Sequence, residues 1–143
     1  MNNNQKIAMQ GNCLCGSVTV AASQVSTGVG ACHCNMCRQW GGGPFLAVDA
    51  GSEVSFTGDD HIGIFNSSEW AERGFCKSCG THLFYRLKQN QQHIMPVGLF
   101  QEGDQLVLDH QVFIDERPGF YCFSQNTKDM TGAEVFAMFG STS

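Results

Sequence analysis

Seven of the eight cysteines in this chain stand in three close clusters, and these limit the possible folds more than any other feature. They read Cys13-Leu-Cys15, Cys32-His-Cys34-Asn-Met-Cys37 and Cys76-Lys-Ser-Cys79, with Cys122 alone. In C-x-C and C-x-x-C spacings a tight turn aims both sulfurs at one point, so they converge on a single ion about 2.3 Å away. Gly16 and Gly80, directly after two of the clusters, permit the positive φ that such turns require. A disulfide scaffold is not needed, because 143 residues with 42% hydrophobic content and 11 Phe can fill one ordinary core. The first ten residues contain no apolar run of signal or membrane-span length, so a reducing cytoplasm is the expected location. In that compartment clustered thiols are metal ligands or catalysts rather than cross-links.

Charge narrows the partners. Eight basic against 13 acidic groups give a formal net charge of −5, and no cluster of Lys and Arg is present to neutralise phosphates. A nucleic-acid binder is disfavoured, and no membrane partner is expected. The length suits one domain over 1–143, with a mobile leader at about residues 1–6 and a C-terminal tail at about 124–143.

Period-two alternation from Ser17 to Ala21 reads as a strand with Val18 and Val20 on one face. Phe45–Val48, Glu53–Thr57, His61–Asn66, Thr81–Leu87, His93–Leu99 and Leu106–Ile114 are further short runs rich in β-branched or aromatic residues. Glycine, proline and aspartate punctuate them at Gly41–Pro44, Thr57–Asp60, Gln101–Asp104 and Arg117–Gly119. The expected fold is mainly β, as a sandwich, barrel or folded-over sheet with the cysteines in loops. One short C-terminal helix is expected, because Thr131-Gly-Ala-Glu134 has the form of a capping box. Val135, Phe136, Met138 and Phe139 would cover one side of it, with Gly140 as its stop. The competing reading of that segment is a frayed tail.

Seven thiols divide most simply as four and three. Cys13, Cys15, Cys76 and Cys79 would close a four-thiolate structural zinc site, leaving Cys32, Cys34 and Cys37 as a three-thiolate zinc with an open fourth position. Spacing alone also allows other pairings, such as the central trio with one thiol of another cluster. Soft thiolates favour zinc over magnesium or calcium, with an iron–sulfur cluster as the minor alternative. Three thiolates on Zn²⁺ give a unit of net charge −1, a weak Lewis acid poorly suited to making hydroxide. Such a site is better matched to a substrate thiol, which it would hold as the nucleophilic thiolate. The competing reading is a non-catalytic zinc-stabilised binding module in which His33 or a water completes the second site. Dithiol redox chemistry lacks its βαβ setting, and a nucleobase deaminase lacks its His-x-Glu and Pro-Cys-x-x-Cys.

Around the trio, Arg38 is a candidate for pairing a substrate carboxylate, and Trp40 with Gly41–Pro44 for lining the entrance. His33, between two ligands on an extended stretch, points away from them and is a candidate for a substrate or supporting contact. His61, His82, His93 and His110 fall in strand-like runs and read as structural, His110 being the one to test. Cys122, between Tyr121 and Phe123, reads as a small buried apolar residue.

Gly11–Val18, Cys32–Arg38, Phe75–Thr81 and His110–Phe120 together resemble the glutathione-dependent formaldehyde-activating enzyme family, which is related to the centromere protein V group. The likeness runs from about residue 7 to residue 123. It implies stacked antiparallel sheets of the β-tent type holding two zinc ions per chain. In that family the positions of Cys13, Cys15, Cys76 and Cys79 hold the structural zinc, and those of Cys32, Cys34 and Cys37 the catalytic one. The founding activity is formation of S-(hydroxymethyl)glutathione from glutathione and formaldehyde, classed with carbon–sulfur lyases. Phe120 stands where the family commonly has Trp, and Gly98–Gly103 departs from the usual Gly-x-Leu-Asp-Asp pattern. The expectation is a cytoplasmic zinc enzyme that makes or breaks a carbon–sulfur bond between glutathione, or a similar thiol, and a small electrophile.

Overall fold

Strands expected from alternation and β-branching are present, and others join them, in the computed structural model, which describes residues 5–100 and 103–139. In chain order they are β1 (Lys6–Asn12), β2 (Thr19–Ser26), β3 (Gly28–Cys32), β4 (Phe45–Gly51), β5 (Val54–Thr57), β6 (Ile62–Phe65), β7 (Ala71–Cys76), β8 (His82–Leu87), β9 (His93–Pro96), β10 (Val107–Val112) and β11 (Lys128–Met130). Two helices join them: α1 (Asn35–Gly41), which the sequence reading did not anticipate, and α2 (Gly132–Phe139). Among the described residues no helix is long and apolar enough to cross a membrane.

The strands form a small antiparallel sheet, β1-β2-β5, and a large one, β11-β10-β3-β4-β9-β8-β7-β6. The sheets are antiparallel as expected except at one end, where β10 runs parallel to both β3 and β11. Parallel neighbours need a long connection, and the chain between β3 and β10 supplies it by building the rest of the large sheet. The expected tail is ordered in part: β11 extends the sheet, and α2 follows directly. Thr131 caps α2 as its sequence suggests, since its hydroxyl accepts from the Glu134 N–H at 3.1 Å while the Glu134 carboxylate accepts from the Thr131 N–H at 2.8 Å. Phe136 and Met138 stay largely exposed on this helix; the Phe139 side chain and Gly140 lie outside the described residues. At the other end β1 already begins at Lys6, and residues 1–4 lie outside the described residues.

Apolar residues of β1 and β2, alternating except for a one-residue shift between Ala22 and Val25, face the large sheet. Met9, Val20, Ala22 and Val25 are buried there with Val29, Val48, Leu83, Phe84 and Met95. Burying side chains of this size is worth about 1.5–3 kcal/mol each. The opposite face of the large sheet carries a different set. Side chains of paired residues share a face, so the register links Phe45 to Cys32, and His110 through Gly30 and Ala47 to Pro96. On the same face Asp49, Ile94, Tyr85 and Arg73 follow one another across β4, β9, β8 and β7. Helix α1 lies against this second face, with Trp40 packed edge-on to Phe45 at 5.6 Å.

Candidate metal centres

Two knuckles of the same form make the first centre. In each a glycine with positive φ, Gly16 at 82° and Gly80 at 81°, turns the chain and donates its N–H back to the first cysteine's carbonyl, at 3.1 Å to Cys13 and 2.8 Å to Cys76. The Thr81 hydroxyl ties the knuckles together by accepting from the Leu14 N–H at 3.1 Å. The sulfurs of Cys13, Cys15, Cys76 and Cys79 all lie within 4.8 Å of one another. The Sγ separations of 3.7 Å for Cys13–Cys15 and 3.8 Å for Cys15–Cys76 match the edge, about 3.8 Å, of a tetrahedron with bonds of about 2.3 Å. The donor set thus fits a tetrahedral thiolate-bound ion. Thiolate character is supported locally: the Val18 N–H points at Cys13 Sγ at 3.3 Å. The Thr81 hydroxyl, 3.1 Å from Cys79 Sγ, helps lower that thiol to about 5. Cys13 and Cys76 are fully buried, so this centre also anchors the end of β1 to the end of β7.

The second centre forms where β3 runs into α1. Cys32 ends the strand, Cys34 caps the helix by accepting from the Cys37 N–H at 3.4 Å, and Cys37 sits one turn in. Their three sulfurs lie within 4.8 Å of one another. Spacing left the division of ligands open; the fold separates four thiols from three. As bare thiols the three share a charge. Hydrogen bonds from Cys32 and Cys37 hold Cys34 down at about 2, while its thiolate pushes Cys32 far upward. Cys37 is drawn down by Cys32 yet raised on balance to about 11 by Cys34 and burial. Cys37 is buried, whereas Cys32 and Cys34 are half-buried, so the trio is approached from their side.

Arg73 joins this centre in a way that the sequence reading missed. It is 4% exposed, and its two terminal nitrogens lie 3.9 and 3.8 Å from Cys37 Sγ. The rings of Trp40 and Tyr85 clamp the guanidinium at 4.8 and 4.9 Å. A cation between two π faces is electrostatically favoured, and here it also faces a thiolate cluster. The available signal was its place in β7, three residues before Cys76 and hence on the opposite side of the strand.

The other expected contacts fall differently. Trp40 packs on the Arg73 guanidinium, and its ring stacks on His82 at 3.9 Å and 10°. Arg38 turns inward, its Nε donating to the His33 carbonyl at 2.9 Å, which secures the ligand loop. Of the two contacts expected of His33, the structure shows the supporting one, and the side chain is a buried strut. It is 0% exposed, Nε2 donates to Gln111 Oε1 at 2.7 Å, and Nδ1 accepts from the Tyr121 hydroxyl at 2.7 Å. The network continues from Gln111 Nε2 to the Thr127 hydroxyl at 2.9 Å and on to Asp129 at 2.6 Å. Cys122, expected in the core, is exposed, as is Phe120 at 85%.

A model of the glutathione-dependent formaldehyde-activating enzyme family matches residues 8–116. The chain is 34% identical over 127 residues to a Schizosaccharomyces pombe protein described as an uncharacterized lyase, covering 88% of this chain and 93% of that one. A crystal structure of a Rhodobacter sphaeroides protein has the same fold, with a TM-score of 0.57 at 22% identity over 65% of this chain and 88% of that one. With both cysteine centres inside the matched region, the chain belongs to the glutathione-dependent formaldehyde-activating enzyme family.

Proposed function

We propose that the chain binds two zinc ions, a structural one at Cys13, Cys15, Cys76 and Cys79 and a reactive one at Cys32, Cys34 and Cys37. At the second it joins glutathione, or a related small thiol, to a small electrophile such as formaldehyde, or reverses that step as a carbon–sulfur lyase. The observation that carries this reading is the inequality of the two centres: one offers four thiols on a buried anchor, the other three with a half-open side. Zinc held by the trio would supply an open position that keeps a thiol in its thiolate form.

The protein's own groups define the rest. Arg73 places positive charge beside Cys37, which offsets the negative charge of the cluster and of an arriving thiolate. His33, locked by Gln111 and Tyr121, fixes the backbone between Cys32 and Cys34. In the bond-forming direction the thiolate sulfur attacks the carbonyl carbon, the carbonyl π pair moves to oxygen, and that oxygen takes up a proton. Family membership and the relative described as a lyase both support a reaction of this class.

Metal analysis combined with thiol binding tests the proposal. Two zincs per chain are expected. Cys32→Ser should lose one zinc and glutathione binding while keeping the fold, and Cys76→Ser should unfold. Equal collapse of both variants would make the second centre structural. Exchange NMR with glutathione and a panel of aldehydes, set against the uncatalysed rate, would then identify the electrophile.

A further inference from the structure

Asp109 and His110 are consecutive in β10, and consecutive residues of a regular strand face opposite sides. Here the strand bulges: Leu108 pairs with Val29 and His110 with Gly30, so Asp109 is the extra residue. Both side chains consequently lie over β3, on the face that carries Cys32. Asp109 fills the space above Gly28, and His110 Nε2 the space above Gly30; a Cβ on either glycine would overlap them. Asp109 Oδ1 accepts from His110 Nδ1 at 2.6 Å, which fixes the ring and leaves Nε2 as the exchanging nitrogen. The imidazole is 44% exposed. The next residue of β3 on this face is Cys32, two positions and about 6.6 Å beyond Gly30. Nε2, over Gly30, and Cys32 thus lie on one face of β3, two positions apart along the strand.

We infer that His110, oriented by Asp109, is the proton carrier of the carbon–sulfur step, an inference that rests on the reading proposed above. Nε2 takes the proton from the substrate thiol. The sulfur then bonds to the carbonyl carbon, and the proton passes from Nε2 to the oxygen that receives the π pair. The reverse reaction moves the same proton back, so charge and atoms balance with no further reactant. Asp109 is a positioning residue: its carboxylate holds the Nδ1–H tautomer, and the glycines of β3 give the pair its room.

Zinc-loaded wild-type protein is compared with His110→Gln and Asp109→Asn by calorimetry with glutathione, by exchange NMR with glutathione and formaldehyde, and by imidazole ¹⁵N shifts. In protein saturated with glutathione, His110→Gln should slow interconversion at least about 100-fold, the usual size of a lost general acid–base group. In wild type the His110 Nε2 resonance should move when formaldehyde joins glutathione. In Asp109→Asn the Nδ1 and Nε2 shifts should report a mixed tautomer. Wild-type rates in His110→Gln, or a motionless Nε2, overturn the inference alone. A wild type that binds no glutathione overturns the underlying reading and this inference with it.

Discussion

Arg73 directs both terminal nitrogens at one sulfur, 3.9 and 3.8 Å from Cys37 Sγ, and among the described residues no carboxylate pairs with it. An unpaired buried cation is strongly disfavoured, so its counter-charge has to be the thiolate cluster itself. Arg73→Met removes that charge and leaves Trp40 and Tyr85 facing an empty slot. The expected outcome is a loss of about 10–100-fold in metal affinity at Cys32, Cys34 and Cys37, the usual scale for groups that support metal ligands. The four-cysteine centre should be unaffected. Chelator competition that resolves two classes of bound zinc checks this, and equal weakening of both classes would argue against it. Arg73→Lys should restore only part of the affinity, because a point charge cannot span the same sulfur and both rings.

His33 joins the ligand loop to the C-terminal segment through Tyr121 and Gln111. Replacing it by Leu leaves a buried amide oxygen and a hydroxyl without their partner. Each costs about 1–3 kcal/mol. Tyr121→Phe breaks only one of the two bonds and should cost about 1 kcal/mol. Urea denaturation of the zinc-loaded protein ranks the variants: His33→Leu clearly below Tyr121→Phe, and Tyr121→Phe slightly below wild type. A His33→Leu protein as stable as wild type would show that this network contributes nothing.

Helix α2 rests on few anchors. Phe136 packs edge-on to Trp70 at 6.2 Å and to Phe113 at 5.6 Å, and the Gly132 N–H donates to Asp115 at 2.8 Å. Phe136→Ala should therefore release the helix without unfolding the sheets. The measurement is amide hydrogen exchange: faster at Val135–Met138, unchanged in β3 and β4, with the global denaturation midpoint nearly constant. A parallel drop in all regions would place α2 inside the cooperative core.

The same contrast between local and tertiary control explains what was legible in the sequence. Strands β4, β5, β8 and β10 announce themselves by β-branched and aromatic runs, and the Thr131–Glu134 box sets the start of α2 by purely local bonds. Strand β3, Gly-Val-Gly-Ala-Cys, has almost no propensity of its own. Its glycines are explained only by Asp109 and His110 lying over them from β10. Helix α1 is too short to show a period, and its cap is a cysteine, whose capping role emerges only once the trio assembles. The ligands were readable because their spacing is local. Arg73 was not, because its meaning comes from Cys37 and Trp40, more than 30 positions earlier in the chain.

His93 gives the stability of the large sheet a pH dependence with a defined sign. The ring is 4% exposed and packs against Phe84 at 5.4 Å and Phe56 at 5.9 Å. Nδ1 donates to the Gly51 carbonyl at 3.2 Å, whereas Nε2 has no partner among the described residues. Protonating Nε2 would place a charge in this apolar box next to Arg86, with Glu72 as a weaker opposing influence. Burial first, and Arg86 second among the lowering influences, therefore hold the ring below the ordinary histidine value of 6.5. Below about pH 6.5 the unfolded chain binds a proton that the native ring refuses. Native stability should therefore fall as the pH drops from about 6.5, and this contribution should vanish above it. Replacing His93 by Gln removes the titration, reducing the slope of stability against pH by up to about 1.4 kcal/mol per unit. Burial lowers His33 and His82 as well, but they and the thiolates are common to both proteins and cancel in the difference. Urea denaturation of the two proteins at pH 7.5, 6.5 and 5.5 gives the comparison, and parallel lines through all three points would remove His93 as the cause.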